Sequence, residues 1–264
     1  MRYLRLIKYF MLSSAQTDLA YHANFAIGLF NSILNLIVGV LGLVVLFSQV
    51  KTLNGWTFAS TLALLGVYLT ISALRGWFIG PSLEVLAWIE GDVWSGRFDF
   101  TLLRPINTQF FVSVRQWSWF ALIDLALGLG VIVVAALTSA SIQSGGAQIL
   151  SFLLAAAASV AVLYAILLIF TALVFWSPGL LFTWVFDAIM QLARYPIGIY
   201  PGWLQFVLTW IIPVAVMTTI PAGALTGDIQ PIILIGGIAL AVILFIAASV
   251  LFRLGVKRYN SASS

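Results

Sequence analysis

Runs without formal charge alternate with short polar segments along this 264-residue chain. Residues 19–50, 52–74, 125–186 and 229–252 contain no Asp, Glu, Lys or Arg. A helix needs about 20 apolar residues to cross a bilayer, so the third run is long enough to cross twice, with its break in the polar stretch 138–148. The pattern predicts five membrane-spanning helices, which lie at about 23–47, 57–79, 110–137, 149–175 and 230–252.

The stretch 178–227 cannot form one uninterrupted helix, because five of the eight prolines lie within it. Both chain ends are basic and are therefore predicted to be cytoplasmic, which requires an even number of spans. Three crossings would need about 60 residues, so one crossing is predicted near 179–197. The remainder, 203–227, is broken at Pro213 and Pro221 and is predicted to dip into the outer leaflet and return. Such a re-entrant hairpin must be covered by protein or line a cavity.

The spacing of apolar and basic residues in positions 1–20 predicts an amphipathic helix. Tyr3, Leu6, Ile7 and Phe10 recur at helical spacing, while the basic residues among the first eight fall largely on other faces. The apolar stretch that follows Lys8 is too short for a secretory signal core. We therefore expect residues 1–20 to be retained as an interfacial helix in the headgroup region.

Composition and charge place the chain in the membrane. It is 62% hydrophobic and 8% charged, whereas soluble domains carry roughly 25% charged residues. In the predicted arrangement, all 12 basic residues except Lys51 and Arg194 fall on the cytoplasmic side, as the positive-inside rule requires. The net charge of +4 is thus explained without a nucleic-acid partner. The prediction is an all-α polytopic membrane protein, a single domain of residues 1–264 with six transmembrane helices.

A polar island, residues 84–104, interrupts the apolar pattern between the second and third spans. Six charged residues fall within it: Glu84, Glu90, Asp92, Arg97, Asp99 and Arg104. Unpaired polar groups cost several kcal/mol each in hydrocarbon, so this segment must stand in water. We interpret residues 80–108 as a cytoplasmic loop that is offered to a partner.

Several kinds of chemistry are excluded by what the chain lacks. It has no cysteine and one histidine, so neither a disulfide nor a Cys/His metal site is predicted. None of the three lysines follows a glycine, so no phosphate-binding loop is present. If ATP drives this protein, a separate subunit binds it. Acidic and histidine side chains do not gather as a catalytic site, and we predict that the chain is not an enzyme.

Among the charges within predicted spans, three are candidates for the transport path: Asp124, Asp187 and Arg194. Charges inside a membrane are functional candidates by default, but they can also be satisfied at a helix or subunit contact, and both interpretations stay open. Asp187 and Arg194 are seven residues apart, hence about 10 Å along a helix, and cannot pair within it.

Local motifs add a family resemblance. Residues 96–106, GRFDFTLLRPI, and the proline pattern of 194–201, RYPIGIYP, with 212–213 and 220–222, resemble the membrane-spanning permeases of ABC type-2 exporters. The ending GVKRYNSA, 255–262, resembles a small bacterial branch of this family. This chain has no large extracellular domain, so relatives that carry one give no information about its substrate.

The resemblance implies that the 80–108 loop is a coupling loop that docks on an ATPase subunit. Its expected contacts are Glu84, Glu90, Gly91, Asp92, Arg97, Asp99, Arg104 and Pro105, with residues 84–90 as a short coupling helix. It also implies a dimer of permeases, identical or different, with ATP and Mg held by the partner ATPases. The expected path or gate residues are Asp124, Asp187, Arg194, Pro213 and Pro221.

The predicted function is therefore export across a bacterial cytoplasmic (inner) membrane, with both termini in the cytoplasm and lipid as the surroundings. Two alternatives stay open. One is an ion- or proton-coupled carrier, which would need ionisable groups near the midplane and an internal repeat. The other is a membrane scaffold without transport, which would share the docking loop but would not need the hairpin.

Overall fold

The computed structural model describes residues 2–20, 22–87, 91–138, 145–177, 182–227 and 229–259. Within these ranges the chain is helical and forms no β-strand. The α-helices are α1 (Arg2–Ala20), α2 (His22–Gln49), α3 (Phe58–Leu74), α4 (Gly80–Ala87), α5 (Phe98–Leu102), α6 (Thr108–Val114), α7 (Ala121–Thr138), α8 (Gly146–Leu173), α9 (Phe182–Leu192), α10 (Gly202–Phe206), α11 (Val214–Met217), α12 (Thr219–Thr226) and α13 (Pro231–Arg258). Turns of π-helix occur at Arg75–Ile79 and Val207–Ile211, and a 3-10 turn occurs at Ile197–Ile199.

Five helical stretches in the described part of the chain are long and apolar enough to cross a membrane. They are Phe25–Gln49, Phe58–Ala87, Ala121–Thr138, Gly146–Leu173 and Pro231–Arg258. The prediction of an all-α polytopic membrane protein is confirmed. The count of six spans stays a prediction.

The second span is longer than the sequence pattern indicated, since α3 and α4 join through the π turn into one helix that reaches Ala87. Pro81 lies inside this helix and has no N–H, which leaves the carbonyl of Trp77 without its usual partner four residues on. That carbonyl accepts a hydrogen bond from Ser118 N–H instead, at 2.8 Å. The expected loop of 80–108 therefore begins as an extension of the span up to residue 87, and the next described residue, Gly91, is non-helical.

The third predicted span, 110–137, is not one helix. Residues 108–114 form α6, residues 115–120 are non-helical, and α7 begins only at Ala121. The break is held by Ser82, whose hydroxyl donates to the carbonyl of Gln116 (2.7 Å) and accepts from its N–H (3.0 Å). Apolar periodicity alone could not indicate this break, because the bonds that stabilise it come from another helix.

The N-terminal helix α1 binds the 115–120 break. The Ser14 hydroxyl accepts a hydrogen bond from Trp117 N–H at 3.1 Å, and the Asp18 carboxylate accepts one from Trp119 N–H at 2.7 Å. Backbone N–H groups in a non-helical segment need acceptors from elsewhere, and here a distant helix supplies them. The helix predicted for residues 1–20 is present, while its place in the headgroup region stays a prediction.

Small residues allow α3 and α7 to approach closely. A Cβ atom at Gly66 would lie 2.8 Å from the backbone nitrogen of Ile132, and one at Gly128 would lie 2.7 Å from the backbone nitrogen of Thr70. Such contacts are the usual basis of helix association in membranes, where van der Waals packing replaces the hydrophobic effect.

Residues 182–200 run along α3 from one end to the other. Asp187 lies beside Arg75, at the C-terminal end of α3, and the carbonyl of Gly198 accepts from the Asn54 amide (2.6 Å), just before its start. Only α9 is a regular helix in this stretch, and the prolines at 196 and 201 keep the rest more extended. The first three residues of the predicted span near 179–197, residues 179–181, lie outside the described residues.

Residues 202–226 turn back on themselves. The Gln205 amide donates to the carbonyl of Gly198 (3.1 Å), which also accepts from Asn54, and the Gln148 amide at the start of α8 donates to the carbonyl of Leu225. Asn54 lines the same cavity as Gly223, so both limbs end near the same end of the bundle. Between them the Ser159 hydroxyl, near the middle of α8, donates to the carbonyl of Val216 (2.9 Å). We call the end of the bundle at which both limbs end the hairpin end. The opposite end, which carries residues 91–104, is the loop end. Placement of the hairpin in a leaflet stays a prediction.

Candidate functional site

Asp92 is the centre of the loop that connects α4 to α5. Its carboxylate is buried and pairs with Arg115, whose side chain is 11% exposed, and with Arg97 Nε at 3.3 Å. Its N–H donates to Val85 in α4, and its carbonyl accepts from Phe98 N–H, both at 3.0 Å. Asp92 therefore ties the end of α4, the start of α5 and the 115–120 break together.

A tight turn leads from Asp92 into α5. The carbonyl of Gly91 accepts hydrogen bonds from both the N–H and the hydroxyl of Ser95, each at 2.9 Å. Gly96 has a φ of 72°, which glycine adopts without the steric cost that other residues meet. The glycines at 91 and 96 thus shape the loop. Glu90 lies outside the described residues.

Phe98 anchors this loop to the ends of two long helices. The side chain is fully buried, with its ring 5.2 Å from Phe175 after α8 and 5.1 Å from Tyr259 after α13. Room for this cluster comes from Gly255, where a Cβ would lie 2.5 Å from the Phe175 ring. Burial, followed by the Asp99 carboxylate beside it, raises the pKa of Tyr259 to about 12.

The other predicted coupling residues differ in their surroundings. Glu84 lies in α4 and binds Arg75 at 2.9 Å. Arg97 has a side chain that is 61% exposed, Asp99 lies in the first turn of α5, and Pro105 is exposed. Arg104 is exposed and lies over the Phe111 ring at 4.5 Å. Their role in coupling stays a prediction.

An ion network joins the second span to α9. Arg75 binds both carboxylate oxygens of Asp187 through its two terminal nitrogens, and it binds Glu84 through one of them. Its guanidinium also lies 5.5 Å from the ring of the fully buried Phe186. The side chain of Arg75 is 20% exposed, whereas those of Glu84 and Asp187 are 36% and 42% exposed. Asp187 is therefore paired with Arg75 and not with Arg194.

The remaining predicted path residues are dispersed. Arg194 lies over the Tyr68 ring at 5.2 Å, between the levels of Arg75 and Asn54 along α3. Asp124 is half-buried in the first turn of α7, where the helix dipole favours a negative charge. Pro213 separates the second π turn from α11, and Pro221 occupies the first turn of α12, where no N–H donor is needed.

A cavity of about 410 Å³ opens at the hairpin end, between α12, the start of α3 and the start of α13. Its wall includes Asn54, Ser60, Thr219 and Gly223. The Thr219 hydroxyl is buried and makes no hydrogen bond within the described part of the chain. The cavity offers polar groups next to α12, the second limb of 202–226.

Sequence reasoning overlooked Arg75, Arg115 and Phe98 as site residues. Arg75 and Arg115 were counted only as basic residues for orientation, although a charge at the edge of an apolar run is itself a functional signal. Phe98 lies within the 96–106 motif, but neither its burial nor its ring contacts could be read from that motif. Among the described residues no three His, Cys, Asp or Glu side chains group as metal ligands, and the absence of a cofactor stays a prediction.

Comparison with models of protein families gives a match over most of the chain. The family model described as "ABC-2 family transporter protein" matches residues 33–263, which is nearly the whole chain. A search of curated proteins found no match.

Proposed function

The chain belongs to the ABC-2 family of transporter proteins, and on this premise we propose that it is the permease subunit of an ATP-driven exporter. Family membership makes it a multi-pass membrane component of an ABC transporter, a transport subunit and not a catalytic one, with an ABC ATPase as partner. The proposal adds the direction: a substrate moves out of the cytoplasm or the inner leaflet.

The observation that carries the proposal is the attachment of the 91–104 loop to the helices behind it. Phe98 connects the loop to the ends of α8 and α13, and Asp92 connects it to α4 and Arg115. A partner that moves such a loop also moves the attached helices, since packed aromatic clusters deform little. ATP and Mg would be held by that partner, which gains the differential binding energy that a conformational switch requires.

The proposed path lies beside α9 and the hairpin, where two permeases, identical or different, would meet. Arg75 connects α9 to the helix that leads into the loop, so movement of the loop reaches Asp187 directly. Arg194 and Asp124 are proposed to line the path, and Pro213 and Pro221 to keep the hairpin broken. We assign the protein to a bacterial inner membrane, with the loop end and both termini in the cytoplasm, on the basis of the basic-residue distribution.

The test is purification of the full chain from its native membrane in mild detergent. We expect an ATPase with a Gly-x-x-x-x-Gly-Lys-[Ser/Thr] segment to co-purify. In vesicles, the complex should hydrolyse ATP and should not respond to an imposed proton gradient. A permease that purifies without any ATPase and is active with a proton gradient would show that it is an ion-coupled carrier.

A further inference from the structure

Three apolar side chains of the loop are largely exposed. Trp94 is 55% exposed, Phe100 is 68% exposed and Leu103 is 80% exposed. Exposed apolar residues are ordinary on surfaces that face lipid. They are unusual on a loop that also carries Asp92, Arg97, Asp99 and Arg104. We call Trp94, Phe100 and Leu103 the apolar knob.

The orientation of α5 determines where two of these side chains point. Phe98 and Thr101 are buried, and the Phe98 ring faces the ends of α8 and α13. Phe100 and Leu103 follow Phe98 by two and five residues, hence by about 200° and 140° around a helix. Both therefore project from the opposite side of α5, away from the helix ends and the membrane that those helices would cross.

The charged residues of the loop are engaged differently. Asp92 is 7% exposed and is neutralised by Arg115 and Arg97, so a partner can reach little of its carboxylate. Arg97 and Arg104 are exposed, and each lies within three residues of a knob residue in the sequence. An apolar centre with a charged rim is the usual anatomy of a protein–protein interface, in which aromatic side chains supply most of the binding energy.

We propose that the apolar knob, and not the charged residues, is the main contact of the permease with its ATPase subunit. This inference rests on the proposed function. The matching surface on the ATPase is an apolar groove that receives Phe100 and Leu103, with acidic groups at its edge opposite Arg97 and Arg104. The charged residues instead shape the loop and adjust the orientation of the partner.

Photo-crosslinking in the native membrane tests the contact. A benzophenone amino acid is placed separately at positions 94, 100 and 103, and for comparison at the exposed charged positions 97 and 104. The matched control is Arg258, which is exposed at the C-terminal end of α13 and lies at the loop end of the molecule. We expect adducts to a protein with a phosphate-binding loop from the knob positions and none from position 258.

Three other outcomes separate the possibilities. ATPase adducts from positions 97 and 104 alone would leave the proposed function intact, but they would overturn the proposal that the knob is the main contact. If positions 100 and 103 give only lipid adducts, the knob contacts the membrane, and the proposal that it is the main ATPase contact is overturned as well. The absence of ATPase adducts at every loop position would contradict the inference and the proposed function together.

Alanine substitutions measure how much the knob contributes to ATPase binding. Phe100→Ala combined with Leu103→Ala should reduce the ATPase recovered with the permease by about tenfold or more, because truncated hot-spot residues have effects of this size. The matched pair Phe100→Tyr with Leu103→Met should retain most of the recovery. Thermal unfolding of the isolated permease should be the same in all variants, since both side chains are exposed. Unchanged ATPase recovery from the double alanine variant would refute the knob.

Discussion

At the scale of single residues, Arg75 is the residue that connects the predicted site residues Glu84 and Asp187, although the sequence did not single it out. It binds Asp187 on α9 and Glu84 on α4, and it begins the π turn between α3 and α4. Single π turns inside α-helices are frequent at functional sites. Gly80 leaves space here, since a Cβ at that position would lie 3.1 Å from the carbonyl of Arg75.

Removing the charge of Arg75 should loosen α9. Arg75→Gln leaves Asp187 and Glu84 without their cation. We expect a loss of about 2 kcal/mol, between the values for exposed and buried pairs, because Asp187 is 42% exposed. Thermal unfolding in detergent measures it. Arg75→Gln with Asp187→Asn should cost less than the sum of the two single variants. Strict additivity in this cycle would show that the pair does not hold α9.

Tyr259 provides a pH-dependent signal from the anchor of the loop. Its pKa is raised to about 12, so the folded protein binds its proton more tightly than the unfolded chain does. The contribution of this group to stability is therefore complete below about pH 10 and is lost as the pH rises toward about 12. Tyrosinate absorbance, compared between the native protein and Tyr259→Phe, should show this hydroxyl ionising near pH 12. Ionisation near pH 10 would contradict the buried environment.

At the scale of helices, the α3–α7 contact depends on two glycines that no charge pattern indicated. Gly128→Val would force a side chain against the backbone of Thr70, and overpacking of this kind costs about 1–3 kcal/mol or more. Gly130→Val, two residues further along the same helix, meets nothing within 4 Å and is the matched control. We expect a lower unfolding temperature and poorer expression only for Gly128→Val. Equal behaviour of the two variants would mean that the helices are not in close contact.

The helices themselves were largely predictable, whereas their interruptions were not. Uncharged runs located five long helices, because a bilayer requires about 20 apolar residues for each span. The break at 115–120 was missed, since Ser14, Asp18 and Ser82 stabilise it from far away in the sequence. The same limit applied to the site: Asp187 was identified from its position, but its partner Arg75 lies 112 residues away.

At the scale of the whole molecule, the orientation can be tested because the chain has no cysteine. Single cysteines at Thr52, near the hairpin end, and at Ser95, in the loop, are both at exposed positions. An impermeant maleimide should label Thr52→Cys in intact cells and Ser95→Cys only after permeabilisation. The opposite pattern would reverse the positive-inside orientation and place the loop outside the cell.

The interruptions of two neighbouring helices also have a consequence for biogenesis. The carbonyl of Trp77, which Pro81 deprives of its usual donor, is satisfied by the N–H of Ser118 in the 115–120 break. Neither segment can satisfy its own backbone when it leaves the insertion machinery, and an unpaired group costs several kcal/mol in hydrocarbon. The second and third spans are therefore expected to enter the bilayer as a pair and not one at a time. The nascent chain would have to extend beyond residue 118 before the second span is released into lipid.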